Sequence, residues 1–133
     1  MALWQFEFSL IPKNINGESW KEGIAPEKAI QYLDTILKKS MLDGVVKYGE
    51  SDSTCIELFY EDDRLDEILC RLDLRNLTKL LLGKIVDFCK LTDGVILYNG
   101  KSYPVDFDSL RNLMLQSRAA KFCQDPAKFL SML

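Results

Sequence analysis

The stretch Trp4-Gln5-Phe6-Glu7-Phe8-Ser9-Leu10 alternates large apolar side chains with polar ones. A period of two is typical of a β-strand whose apolar face lies on a core and whose polar face meets water. Pro12 stands where such a strand should end. The pattern therefore predicts a sheet with one buried aromatic face, and the rest of the chain should supply its neighbours and its cover.

Helical and strand patterns follow in turn along the chain. Apolar residues recur at helical spacing from Ala29 to Leu37, after Pro26, and Lys38 and Lys39 suit the C-terminal end of a helix. A second, broader apolar stripe predicts a helix over residues 77–90. Strands are predicted at residues 45–48, 54–60, 67–75, 95–98 and 101–105, the last two joined by the strong hairpin signal Asn99-Gly100.

The C-terminal part of the chain predicts two more helices. Asp108 should cap one that carries Leu110 and Met114, and Pro126 should begin a final short one. The predicted order is β-α-β-β-β-α-β-β-α-α, without a linker or an internal repeat. We therefore expect a single α+β domain over residues 1–133, with helices packed on an antiparallel or mixed sheet of about five or six strands.

Composition limits the classes of function. The 133 residues are 47% hydrophobic and 28% charged, which is globular usage, and no apolar run approaches the ~20 residues that span a bilayer. The N-terminus lacks a basic region followed by an uninterrupted apolar one, so export is not expected. The four cysteines contain no CxxC pair and are interpreted as reduced core residues. A cytoplasmic protein that does not interact with membranes is the resulting expectation.

Catalysis is disfavoured by what the sequence lacks. Histidine is absent, which removes the commonest general base and the commonest transition-metal ligand. Phosphate-loop, dinucleotide, serine-hydrolase and zinc-protease motifs are also missing. We expect a non-enzymatic protein without cofactor or metal, although chemistry based on carboxylates or a cysteine thiolate stays open.

Negative charge is concentrated in one stretch. Residues 50–67 contain eight carboxylates against Arg64 alone, a local charge of −7 in a chain of net −3. Three interpretations stay open: a solvated turn, a docking surface for a basic protein, and a magnesium or calcium site, although no EF-hand spacing is present. Nucleic acid is not expected as a partner, because the isoelectric point is about 5.0 and no basic stripe is present. The predicted partner-binding carboxylates are Glu57, Glu61, Asp62, Asp63, Asp66 and Glu67.

Two further features have alternative interpretations. Trp20 lies in a polar loop of about fifteen residues, where it is either an interface anchor or a cover for the core. Arg71, Asp73 and Arg75 should stand on one face of a strand, as a charge ladder that ties neighbouring elements or, alternatively, recognises a partner. Trp20 is included among the predicted partner-binding residues.

Three segments resemble small bacterial immunity proteins of polymorphic-toxin systems: Arg-Leu-Asp-Leu-Arg-Asn-Leu from Arg71, Asp-Gly-Val-Ile-Leu from Asp93, and residues 117–126. The resemblance implies a cytosolic protein that binds and blocks a cognate toxin domain, often a basic nuclease, but it assigns no individual residue. We therefore expect a monomer or homodimer that binds a basic toxin domain. A self-associating structural or adaptor protein is the alternative.

Overall fold

The fold is an antiparallel sheet with helices on it, in a computed structural model that describes residues 1–13, 20, 24–42 and 44–125. Within these residues the strands are β1 (Gln5–Pro12), β2 (Lys39–Leu42), β3 (Val45–Gly49), β4 (Cys55–Glu61), β5 (Arg64–Asp73), β6 (Gly94–Tyr98) and β7 (Lys101–Tyr103). The helices are α1 (Ile24–Leu33), α2 (Lys79–Leu91), α3 (Phe107–Leu115) and α4 (Arg118–Gln124). The predicted α+β class is confirmed.

The strands form a sheet in the order β2-β3-β4-β5-β1-β6-β7, and every neighbouring pair is antiparallel. The first strand of the chain is thus near the middle, between β5 and β6. Because β1 is central, its alternation sets the character of both faces of the sheet.

The alternation predicted for β1 is confirmed from Phe6 onward, but Gln5, predicted on the wet face, is 2% exposed. Phe6, Phe8 and Leu10 are at most 2% exposed. The register places Leu72, Cys70 and Ile68 of β5 opposite them, and these residues are buried as well. Residues from all four helices join the same hydrophobic cluster, among them Ala29, Ile85, Leu110 and Ala119. The helices therefore cover this face, and burial of its apolar area drives folding.

The other face of β1 carries Glu7, Ser9 and Ile11, which are half-buried. Among the described residues, every strand residue of the hydrophobic cluster lies on the covered side of the sheet, and none lies on this side. No helix packs there among the described residues, so most of this face is uncovered. Gln5, Cys55 and Asp73 also belong to this face, at one end of the sheet, and they are buried.

The predicted strand count was too low, because the described residues contain seven strands. The additional strand is β2, whose first residue, Lys39, was predicted to belong to the end of a helix. Helix α1 instead ends at Leu33, and Ile36 and Leu37 still pack on the core from a turn. Ile36 and Leu37 therefore fit the helical spacing because they are buried, although they do not belong to the helix. Pairing with β3 makes residues 39–42 a strand, and a period of 3.6 cannot reveal such pairing.

Some predicted boundaries moved by a few residues. The side chain of Asp106, rather than Asp108, accepts a hydrogen bond from the N–H of Ser109 and caps α3. That hydrogen bond lowers the pKa of Asp106 below its ordinary value. Ser117 caps α4, a helix not predicted separately. The helix predicted to begin at Pro126 lies outside the described residues.

Candidate protein-binding site

The β4–β5 hairpin turns on two aspartates. Glu61 pairs with Arg64, and Asp62 and Asp63 between them have φ angles of 52° and 63°. Two positive φ angles in a two-residue loop define the type I′ turn, which matches the twist of the flanking strands and favours Asn-Gly. The β6–β7 hairpin has this preferred pair, with Asn99 and Gly100 at 50° and 75°.

The two hairpins differ in the backbone cost of their turn residues. The left-handed conformation costs an ordinary L-residue about 1–2 kcal/mol, less for aspartate and nothing for glycine. The β4–β5 turn places two carboxylates where the same chain elsewhere uses the less strained pair. Aspartate is also favoured at the first position of this turn, so backbone preference accounts for Asp62 and leaves Asp63 unexplained.

The end of this hairpin projects several carboxylates together. The register of β4 and β5 shifts between Phe59 and Tyr60, which marks a β-bulge and leaves Asp66 exposed. Bulges bend a strand and redirect its side chains. We call Glu61, Asp62, Asp63, Arg64 and Asp66 the acidic tip; all five are exposed. Tyr60 beside it is 39% exposed and offers an aromatic surface.

Two of the predicted partner-binding carboxylates have structural contacts on the sheet. Glu57 accepts a hydrogen bond from Arg71 Nη1 at 2.7 Å, and Glu67 accepts one from the hydroxyl of Ser9 at 2.7 Å. Both side chains lie on the uncovered face, next to the tip but not in it. The predicted set is thus brought to one hairpin, in two groups with different surroundings.

The acidic stretch as a whole does not form one surface. Glu50 and Asp52 lie in the β3–β4 connection, at the far end of β4 from the tip. Seven residues of strand separate the two groups by roughly 24 Å. The local charge of −7 is therefore divided between the two ends of β4 and one sheet face.

Arg71 ties three strands together. Its Nε donates to Glu7 of β1 at 2.9 Å, while its Nη1 reaches Glu57 of β4. Burial acts to lower the pKa of Arg71, but the two carboxylates outweigh it and raise that pKa. The ladder predicted for this residue is therefore a cross-strand clamp, as the structural interpretation expected.

Arg75 is not on the strand with Arg71, because β5 ends at Asp73. Its guanidinium forms two hydrogen bonds with the buried Asp73 carboxylate, Nε to Oδ1 at 3.0 Å and Nη2 to Oδ2 at 2.9 Å. It also stacks 3.9 Å from the ring centroid of Trp4, whose indole N–H donates to the carbonyl of Asp52. This cluster closes one end of the sheet. Sequence reasoning missed it, since Trp4 was assigned to the core by alternation alone.

Trp20 covers the core. Its side chain is 6% exposed, and its backbone N–H donates to the carbonyl of Leu65. A Cβ built on Gly94 would lie 2.5 Å from the indole ring, so the missing side chain of that glycine makes room for it. Trp20 therefore does not present an exposed anchor, and of its two interpretations the structure has the core one.

The uncovered face is defined here by twelve residues of five strands. They are Val45 and Lys47 of β3, Glu57 and Phe59 of β4, Glu67, Leu69 and Arg71 of β5, Glu7, Ser9 and Ile11 of β1, and Val95 and Leu97 of β6. All twelve are half-buried, as expected for side chains shielded only by their neighbours.

Two buried thiols and one cleft are the groups among the described residues most relevant to catalysis. Burial raises the pKa of the Cys55 and Cys70 thiols, which keeps them protonated. A cleft of about 400 Å³ beside β1 contains one carboxylate among its described lining residues, Glu7, which Arg71 already binds. Within the described residues, no three metal-ligating side chains come together, and no helix is long and apolar enough to cross a membrane.

The candidate site thus consists of the acidic tip and the adjoining uncovered face. A scan against protein-family models, a search of curated proteins and a search of solved structures each gave no match.

Proposed function

We propose that this chain is a non-catalytic binding protein, an immunity-like inhibitor whose acidic tip docks on a basic toxin domain. The observation that carries the proposal is the Asp62-Asp63 turn, which keeps two exposed carboxylates in backbone conformations that favour Asn-Gly. Residues held in costly backbone conformations cluster at functional sites.

Electrostatics supports a cationic partner. Four carboxylates and one cation project from the acidic tip, so the local field attracts positive surfaces and accelerates their association. Nucleic acid and anionic lipid surfaces would be repelled by the same field. Tyr60 adds an aromatic contact of the type that often dominates binding energy.

Self-association through a sheet edge is less well supported. The edge strands β2 and β7 have only four and three residues, and each begins with an exposed lysine, Lys39 or Lys101. Short, lysine-bearing edges oppose the addition of another strand. Binding of a different protein is therefore preferred over self-association.

The test uses the product of the reading frame next to this gene as the candidate toxin. Co-expression should neutralise its toxicity, and titration calorimetry should give a complex weakened about tenfold or more by Asp62→Lys with Asp63→Lys. Glu50→Lys with Asp52→Lys is the matched control, since it reverses two charges at the other end of β4. Equal losses in both variants, or no loss at the tip, would refute docking there.

A further inference from the structure

The uncovered face has an apolar centre. Cross-strand partners place Val45 beside Phe59, and Ser9 between Leu69 and Leu97. Ile11 and Val95 form another such pair. Six apolar side chains thus lie on adjacent strands of a surface that no described helix covers.

This face has the size of a surface for one helix. Five strands about 4.8 Å apart span roughly 24 Å with their side chains, and five residues along β1 add roughly 14 Å in the other direction. A helix is about 10–12 Å in diameter, and roughly 16 residues of it would cross that width. Helices already cover the opposite face of the sheet in this way.

The charge around this centre is negative. Together, the uncovered face and the acidic tip carry seven carboxylates and three cations, a formal −4, whereas the whole chain is −3. Glu57 and Glu67 lie within the apolar rows, opposite Leu69 and Phe59, and Glu7 lies beside them; Arg71 is shared between Glu7 and Glu57. Histidine is absent, so this charge persists across the neutral pH range.

We infer that the uncovered face is the docking surface for a cationic amphipathic helix of a protein partner. The inference takes only the sign of the partner's charge from the proposed function. Apolar side chains of that helix meet the rows around Leu69, and its lysines or arginines meet the carboxylates of the face. A second copy of this chain would oppose like charges across the same face, and an anionic lipid surface would do so as well.

The test probe is a synthetic 18-residue helical peptide of leucine and lysine, with leucine at helical spacing on one face. In an NMR titration, the backbone amides of Phe59, Leu69 and Leu97 should shift, while those around Leu80 on α2 should not. Peptides in which glutamate replaces lysine, or serine replaces leucine, should bind with an affinity at least about tenfold lower. Shifts confined to the helical side, equal binding of the glutamate peptide, or no binding would overturn the inference.

Leu69→Arg should weaken the leucine-lysine peptide about tenfold or more. Leu80→Arg is the matched control, because that side chain is 71% exposed on α2, and its effect should stay within about twofold. If Leu69→Arg does not fold, judged by its thermal melt, Glu67→Lys decides with the same expected direction. Unchanged affinity in the deciding variant overturns the inference.

The same variants separate this inference from the proposed function when the toxin itself is the probe. Weaker binding by the tip variant alone leaves the proposed function standing and overturns docking on the face. Weaker binding by the Leu69 or Glu67 variant alone supports the face and refutes docking at the tip. Losses in both support both, and a loss in neither overturns both.

Discussion

Replacing the two turn aspartates by the preferred pair, Asp62→Asn with Asp63→Gly, should stabilise the fold and weaken partner binding. Glycine at position 63 removes a left-handed cost of about 1 kcal/mol, since aspartate stands at the low end of the range for L-residues. It also loosens the unfolded chain, which takes back about 0.5–1 kcal/mol. Loss of the repulsion between the two adjacent carboxylates contributes a further ~0.5 kcal/mol in water. The net expectation is a gain of up to about 1 kcal/mol.

Urea unfolding and calorimetry measure this change directly. For a chain of this size, a gain of 1 kcal/mol raises Tm by about 3–4 °C. Affinity for the toxin should fall at the same time, since two negative charges leave the tip. The opposite signs of the two effects distinguish a functional turn from an ordinary one.

The β6–β7 hairpin provides the reciprocal control. Asn99→Asp with Gly100→Asp builds the same aspartate pair in a turn with φ angles of 50° and 75°. A Cβ at Gly100 would meet nothing within 4 Å, so its cost is conformational and not steric. This variant should lower the free energy of unfolding by about 1 kcal/mol and leave toxin binding unchanged. A β4–β5 variant that gains no stability, or that gains it with full affinity, would refute the reasoning.

Three further changes test how the sheet is held together. Gly94→Ala should cost about 2–3 kcal/mol in urea unfolding, because its Cβ would lie 2.5 Å from the Trp20 ring and 2.8 Å from a backbone oxygen; a cost below 1 kcal/mol would contradict that packing. Arg71→Met should cost about 1–2 kcal/mol, since it leaves two half-buried glutamates without their shared cation, and an unchanged stability would show that the clamp is idle. Asp73→Asn should destabilise at pH 7 but progressively less in acid. Burial acts to raise the pKa of Asp73, yet the hydrogen bonds from Arg75 outweigh it and lower that pKa. The carboxylate's contribution is therefore complete above the unfolded pKa of about 3.9 and is lost as the pH falls through the lower folded value. A gap between wild type and variant that stays constant from pH 7 to pH 3 would refute this assignment.

Local patterns were sufficient to predict the elements that have strong signals of their own. The alternation around Phe6 and Phe8 predicted β1 and its buried face, and Asn99-Gly100 predicted the last hairpin. Strand β2 was missed because its identity depends on pairing with β3, while its neighbours Ile36 and Leu37 are spaced as in a helix. Periodicity indicates which residues are buried, whereas pairing between strands decides whether those residues form a helix or a strand.

The candidate site was predictable only in part for a similar reason. The acidic hairpin could be found from composition, because its residues are consecutive. The Arg71 clamp could not, since Glu7 and Glu57 stand 64 and 14 residues away in the chain. The uncovered face likewise follows from the order of five strands. Trp20 is buried because Gly94, far away in sequence, leaves room for its ring.

The carboxylates fall into two kinds that their positions in the sequence do not distinguish. Glu57 and Asp73 each accept hydrogen bonds from an arginine, so they contribute to the stability of the sheet. Asp62 and Asp63 stand exposed in a turn whose second position favours glycine, so Asp63 has a conformational cost in stability. Neutralising the first pair should therefore weaken folding, whereas neutralising the second should strengthen folding and weaken binding. Under the proposed function, the exposed second pair contacts the basic partner.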